Sequence, residues 1–406
     1  MKQHFVSHLE AAIDGSRLEN DRLRSLHKSR PIWVRYDIEA IGHLTKRLDL
    51  LGRKNDMWRY RELMPVSSED NIVSLGEGMT PLLKVDRLAS HFGLKNVYVK
   101  DEAQLPTASF KSRGMSAAIS MAKEYNVKKV AVPSAGNAAS ACAAYAARAG
   151  MEAYVFMPQD TSASNIKEAA LYGAKVYLVD GLITDCGKIV KDGLEKKQWH
   201  DLSTLKEPYR IEGKKTMGLE LAEQLNWVLP DVIVYPTGGG TGLIGMWKAF
   251  HELKELGWLN ESKMPRMVSV QSKGCCPIVT AFVKGKRFAE IHKNAATIAS
   301  GLRVPSAIGD FMILDALNES DGCAVAVEEA DIVNWMSLTS SSEGISMGPE
   351  SACCIGAVEK LTRDSWIKPD EKVVIFNCGS ALKYPHIIDV DAPVLHPNDI
   401  DWAQIH

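Results

Sequence analysis

The sequence predicts an open α/β protein whose mostly parallel sheet is covered by helices on both faces. Two observations predict it. Seven short β-branched runs recur along the chain, and helix-like stretches fall between them. Most of these runs are apolar at every position, as strands buried on both faces are, whereas a half-exposed strand alternates.

In chain order, residues 1–65 are charge-rich and read as a mostly helical arm or cap. They lead to a stretch punctuated by glycine and proline, Ser74-Leu75-Gly76-Glu77-Gly78-Met79-Thr80-Pro81. The strand runs are Asn96–Val99, Lys129–Val132, Ala153–Phe156, Val176–Val179, Val232–Tyr235, Met267–Val270 and Val373–Phe376. The helical stretches are Ala138–Ala147, Asn165–Tyr172, Met217–Leu225 and Gly242–Leu256. Residues 108–215 are expected to form a small α/β domain, and 66–107 with 216–406 a larger one. Ligands of such folds sit outside the carboxyl ends of the strands.

Composition narrows the class. The chain has 406 residues, 46% hydrophobic and 24% charged, enough for a large core and unlike a disordered or fibrous sequence. Its 48 Lys+Arg against 50 Asp+Glu leave a formal charge of −2, which argues against nucleic acid as a partner. The first thirty residues hold no apolar segment, so no secretory signal is expected. The longest uncharged run, Val130–Ala147, is broken by Pro133, Gly136 and Asn137, so no membrane span is expected either. Eight cysteines form no C-x-x-C pair and are read as reduced thiols. A cytoplasmic enzyme is the expectation.

Three loops at strand ends could carry chemistry. In the first, Asp231–Tyr235 runs into Pro236-Thr237-Gly238-Gly239-Gly240-Thr241-Gly242, and a helix follows. Glycines let consecutive N–H groups converge, and the helix start adds its positive dipole end, which makes a phosphate nest. Gly240-x-Gly242-x-x-Gly245 also matches the dinucleotide fingerprint. The next strand, however, ends Val270-Gln271-Ser272-Lys273-Gly274 with no carboxylate for a ribose, so a monophosphate is the better ligand.

In the second loop, Ser109-Phe110-Lys111-Ser112-Arg113-Gly114, an aromatic and small residues flank a lysine. Desolvation and the neighbouring Arg113 are expected to lower its pKa, favouring the neutral amine that forms a Schiff base. A lysine plus a phosphate cradle is what pyridoxal phosphate requires. In the third loop, Ser134-Ala135-Gly136-Asn137, the asparagine is either a helix N-cap or a side chain that touches the cofactor. Ser134 and nearby N–H groups could hold a substrate carboxylate.

Ser109-Phe110-Lys111, Ser134-x-Gly136-Asn137 and the 238–242 glycines, in that order, resemble the fold type II pyridoxal-phosphate enzymes. Residues 75–82, 208–216 and 377–383 are further similar to the threonine synthases. The resemblance covers roughly residues 70–385. It implies two open twisted α/β domains with pyridoxal 5'-phosphate between them. It implies Lys111 as the Schiff-base lysine and proton carrier, with Phe110 beside the cofactor and Asn137 on the cofactor's phenolic oxygen. Gly238, Gly239, Gly240, Thr241 and Gly242 would take its phosphate, and Cys378 would face the ring nitrogen. For the substrate it implies Ser134, Gly136, Arg210, Thr204 and Lys215, with Arg210 on the phosphate of O-phosphohomoserine.

The implied reaction releases phosphate from Cγ and adds water at Cβ to give threonine. Cys378 stands where the family usually has threonine, and Thr204 where it commonly has asparagine. Gly15–Tyr36 resembles the zinc-ribbon region of some relatives with its cysteines gone, so no metal is expected. A homodimer acting on a small phosphorylated amino acid follows from the resemblance. A serine or threonine dehydratase, a β-replacement enzyme and a nicotinamide-dependent protein are the alternatives.

Overall fold

The computed structural model describes residues 5–261 and 263–395, with 397, 400, 402 and 405 beyond them. All seven predicted runs become strands, each within two residues of its predicted bounds. The strands are β1 (Val6–Ala11), β2 (Arg17–Leu18), β3 (Ile32–Tyr36), β4 (Leu82–Lys84), β5 (Asn96–Asp101), β6 (Lys129–Pro133) and β7 (Glu152–Pro158). They continue with β8 (Lys175–Val179), β9 (His200–Asp201), β10 (Val232–Pro236), β11 (Arg266–Ser272), β12 (Cys323–Val327) and β13 (Lys372–Asn377). The helices that bear on the site are α1 (Lys111–Glu124), α2 (Asn137–Ala149), α3 (Tyr209–Gln224), α4 (Thr241–Glu255) and α5 (Pro349–Arg363).

One sheet runs β12-β11-β10-β13-β5-β4, parallel except that β4 pairs antiparallel with β5. A second, fully parallel sheet runs β8-β7-β6-β9. The apolar runs behave as two-faced strands. Val232, Val234, Val268, Val270, Val373 and Ile375 pack into one core with Cys353, Ile355 and Val358 of α5. Their neighbours Ile233, Tyr235, Met267, Val374 and Phe376 face the opposite way, onto Leu243, Met246 and Phe250 of α4. Each fully buried aliphatic side chain contributes about 1.5–3 kcal/mol of burial free energy. The run at β8 differs: it is a sheet edge, and Tyr177 and Leu178 are exposed. Among the described residues, no helix is long and apolar enough to cross a membrane.

The expected helical arm at 1–65 is corrected. This segment holds the antiparallel sheet β2-β1-β3, one seven-residue helix (Ile38–Leu44) and short 3-10 turns. The alternation of Ile32, Val34 and Tyr36 inward with Trp33 and Arg35 outward is a strand pattern of period two, outweighed by the charged stretches around it. Tyr36 ties this sheet to the body by donating to Glu212 Oε2 at 2.8 Å.

The carboxyl ends of three strands converge, with Asn137 against Gly379. β6 ends at the 134–137 loop, β10 at the glycine loop and β13 at Cys378. The segment after β5 joins them, because Ser109 and Gly379 form an antiparallel bridge. Phe110 N–H donates to the Cys378 carbonyl at 3.0 Å, and Ser380 N–H donates to that of Ala108 at 3.1 Å. Thr107 and Ala108 take φ of 61° and 51° here, a left-handed turn that is strained for a β-branched residue.

Candidate active site

Lys111 opens α1, and its Nζ lies 4.1 Å from the centre of the Phe110 ring. Burial, and next the charge of Arg210, bring its pKa down to about 8. Arg113 is not the cause expected from the sequence. Two positions along a helix is roughly 200° around it, so Arg113 points away. It is fully buried in paired contacts, with Glu102 at 2.5 and 2.8 Å and Glu220 at 2.5 and 2.8 Å. Lys100 completes that cluster, 3.0 Å from Glu220.

A neutral amine is the reactive form, and its fraction grows about tenfold per pH unit below the pKa. The rate at which the cofactor-free protein captures pyridoxal phosphate should therefore climb about tenfold per unit up to about pH 8 and then level. Stopped-flow absorbance checks this, and a flat profile between about pH 6 and 7.5 would contradict it.

The glycine loop is a cradle of free donors. No carbonyl or side chain among the described residues accepts from the N–H groups of Gly238, Gly239, Gly240, Thr241 or Gly242. Gly240 sits at φ 80°, where an L side chain is strained. A β-carbon on Gly242 would overlap the Tyr235 hydroxyl. Thr237, just before the glycines, has its carbonyl held by Gln271 Nε2 at 3.0 Å, so the residue that lacks a ribose carboxylate instead braces the loop. Thr204 lies against Gly239, its methyl 2.8 Å from where a β-carbon would stand.

Asn137 is the first residue of α2, and its side chain does not cap the helix. Ser134 does so instead, accepting from the N–H groups of Gly136 and Ala139 at 3.2 Å while donating to the Gly136 carbonyl at 3.1 Å. The Asn137 amide is thereby free for other work: Nδ2 reaches the Tyr384 hydroxyl at 3.4 Å, and Oδ1 is buried without a partner. Gly379 packs on it. Cys378 is buried beside the Tyr235 hydroxyl, and burial pushes its thiol up to about 12.

Arg210, in the first turn of α3, is buried. It gives Nη1 to the Leu202 carbonyl at 2.6 Å, while its Nε has no partner. Lys215 does not join it, which corrects the expectation of a substrate contact. Lys215 Nζ is locked 2.8 Å from both Glu212 and Glu252, over the Tyr36 ring, in a buried cluster with Lys248. Its neighbour Lys214 enters the site instead. Lys214 Nζ lies 4.1 Å from the Phe110 ring centre and donates to the Phe110 carbonyl. Burial and then the charge of Lys111 drive its pKa far down. Two further residues that the sequence reading passes over, Glu350 and Tyr384, also border the site: Lys111 acts on the Glu350 carboxyl, and Tyr384 bonds both Glu350 and Asn137.

The profile of the Pyridoxal-phosphate dependent enzyme family matches residues 73–379, so fold and site together define a pyridoxal-phosphate-dependent enzyme. The chain is 37% identical over 351 residues to a threonine synthase of Methanocaldococcus jannaschii, covering 86% of each chain. It is 36% identical to one of Methanosarcina acetivorans, covering 91% of this chain and 90% of that one. Within the pyridoxal-phosphate-dependent enzymes, the chain belongs to the threonine synthase family.

Solved structures share the fold. Maize serine racemase aligns with a TM-score of 0.66 at 23% identity, covering 76% of this chain and 90% of that one. A threonine deaminase from Solanum lycopersicum aligns with a TM-score of 0.64 at 22% identity, covering 74% and 79%. The residues present fit the cofactor: five backbone amides without a partner among the described residues for a phosphate, an amine of lowered pKa for an aldehyde, and between them in sequence the Asn137 amide, whose Nδ2 has a hydrogen to spare beyond its bond to Tyr384.

Proposed function

We propose that the protein converts O-phospho-L-homoserine and water to L-threonine and phosphate. When bound, pyridoxal phosphate supplies an electron sink for the pair left on the substrate's Cα. The chain's own residues do the rest. Lys111 would hold the cofactor through its amine and, freed by substrate, would take the proton from Cα and carry protons at Cβ and Cγ. The amides of Gly238, Gly239, Gly240, Thr241 and Gly242 hold the cofactor phosphate at the start of α4. Asn137 would hold the phenolic oxygen, and Phe110 would flank the ring. Cys378, a buried thiol whose pKa burial raises, would face the ring nitrogen as a neutral group and would leave that nitrogen unprotonated.

The start of α2, beside Ser134 and Gly136, would take the substrate carboxylate; the N–H groups of Ser134 and Gly136 themselves are bonded to the Phe156 carbonyl and to Ser134 Oγ. Thr204, on the glycine loop, borders the phosphate end. The two-sheet arrangement supports treating 108–215 as a small domain facing 66–107 and 216–406. A homodimer is a proposal that rests on the resemblance, and a cytoplasmic location is one that rests on the cysteine pattern and the polar first thirty residues.

One observation carries the choice of substrate. Arg210 Nε is a buried guanidinium donor with no partner, next to the lysine it depresses. A dehydratase, whose leaving group is hydroxide, has no anion to place there. The test is a product assay, with threonine and phosphate expected in equal amounts; a 2-oxo acid with ammonia would establish the dehydratase. Arg210→Ala should raise the apparent KM for O-phosphohomoserine about 30-fold or more, the scale of truncating one side of a buried charge pair. Cofactor content should hold, and its loss would reassign Arg210 to the cofactor.

A further inference from the structure

Glu350 is the second residue of α5 and is buried at the edge of the site. Its Oε1 accepts from the Tyr384 hydroxyl at 2.8 Å and from the Gly301 N–H at 2.7 Å. Tyr384 Oη accepts in turn from Asn137 Nδ2, which leaves Asn137 Oδ1 as the orphan. Glu350 and Tyr384 have no role in the reaction described above.

Counting hydrogens gives them one. A tyrosine hydroxyl has a single hydrogen, and here it goes to Glu350. The Tyr384 oxygen therefore accepts from Asn137, whose Nδ2 carries two hydrogens and spends one of them there. The phenolic oxygen of pyridoxal phosphate, where it carries negative charge, needs a donor. The second Nδ2 hydrogen supplies one, provided the amide keeps its nitrogen toward Tyr384. Turned by half, the amide would set Oδ1 against a Tyr384 oxygen whose only hydrogen is committed to Glu350, and two bare buried acceptors in contact are strongly disfavoured.

We propose that Glu350 and Tyr384 are positioning residues for the cofactor: Glu350 holds the Tyr384 hydrogen, the Tyr384 oxygen then accepts from Asn137, and the Asn137 amide is fixed with one hydrogen left for the phenolic oxygen. The proposal rests on the assignment of Asn137 to that oxygen. Burial raises the Glu350 carboxyl's pKa, while the bonds from the Gly301 amide and Tyr384 and the charge of Lys111 favour the carboxylate that accepts from Tyr384. Lys111, Tyr384 and Cys353 are the titratable groups that face it.

The test titrates the cofactor-free full chain with pyridoxal phosphate, reading tryptophan quenching for Kd and the visible band of the loaded protein for the cofactor's electronic state. Glu350→Gln keeps one oxygen that can accept from both Tyr384 and Gly301, and should hold Kd within about threefold and the band in place. Glu350→Ala and Tyr384→Phe should each weaken binding about tenfold and move the band. The double variant should be no worse than either alone, because both act through one chain of bonds. A Glu350→Gln protein as impaired as Glu350→Ala would overturn the proposal, since charge rather than the accepting oxygen would then matter. Asn137→Ala separates the two assignments. If it leaves Kd and band untouched, Asn137 has been misassigned. If it alters them while Glu350→Ala and Tyr384→Phe do not, the relay alone falls.

Discussion

Lys111→Ala should abolish threonine formation and the borohydride-trapped adduct together, while the protein keeps its fold. Lys111 Nζ makes no hydrogen bond or ion pair among the described residues, so truncating it leaves no partner stranded. Its contact with the Phe110 ring is worth about 1 kcal/mol at most, and relief of a buried amine offsets that. The activity effect is far larger. A positioned proton carrier alone contributes ~10²–10⁴-fold, and the covalent attachment is lost as well. Turnover assay, circular dichroism and mass spectrometry after borohydride treatment check the three parts. Lys214 is the informative neighbour. With the charge of Lys111 gone, its amine is less depressed, and a borohydride adduct on Lys214 in the variant would show that it reaches the aldehyde. Retained threonine formation would remove Lys111 from the mechanism.

Arg113→Ala should destabilise the protein by about 3–5 kcal/mol, the scale of removing one member of a buried ion pair. Arg113 is fully buried between Glu102 and Glu220, and it is one of two cations that face Glu220, the other being Lys100. Truncation leaves the buried Glu102 with the Thr80 hydroxyl, 2.7 Å away, as its hydrogen-bond donor among the described residues, and with the charge of Lys100 nearby. The Glu220 carboxyl is held down to about 2 by these cations against the opposing effect of burial. A folded pKa below the unfolded value means that the stability it contributes is present above the unfolded pKa and is lost as pH falls toward 2. The variant should show a lower urea midpoint at neutral pH and a shallower loss of stability on acidification. A midpoint equal to that of the parent protein would mean that the cluster reorganises around water.

Residues whose neighbours in sequence are also neighbours in space were legible. The 238–242 loop is one, since consecutive glycines before a helix point to one outcome, and the strand runs are another because two-sided burial needs unbroken apolar residues. Helix phase was the first thing lost. Lys214 and Lys215 are adjacent, about 100° apart on α3, and nothing in the letters says which one faces Phe110. The reading of Arg113 as a neighbour of Lys111 ignored the same geometry, which the sequence did contain: positions two apart on a helix do not face each other. Strands of two or three residues such as β9 and β4 carry too little pattern to stand out. β12 (Cys-Ala-Val-Ala-Val) was obscured by small residues. Glu350 and Tyr384 join Asn137 only through tertiary contact, 247 residues separating the asparagine from the tyrosine.

The stitching of the Ser109–Lys111 segment to the Cys378–Ser380 segment has a consequence for how the enzyme comes into being. Asp101 and Asn377, which bond at 2.8 Å, are 276 residues apart, so this seam closes only when nearly the whole chain is available. A ribosome-bound polypeptide that has emerged as far as the small sheet carries Lys111 but lacks the strand that seats it. Its amine is then an ordinary solvated lysine, charged at neutral pH and a poor trap for an aldehyde. Commitment to the vitamin is thereby deferred to the finished chain, and fragments released early should circulate colourless.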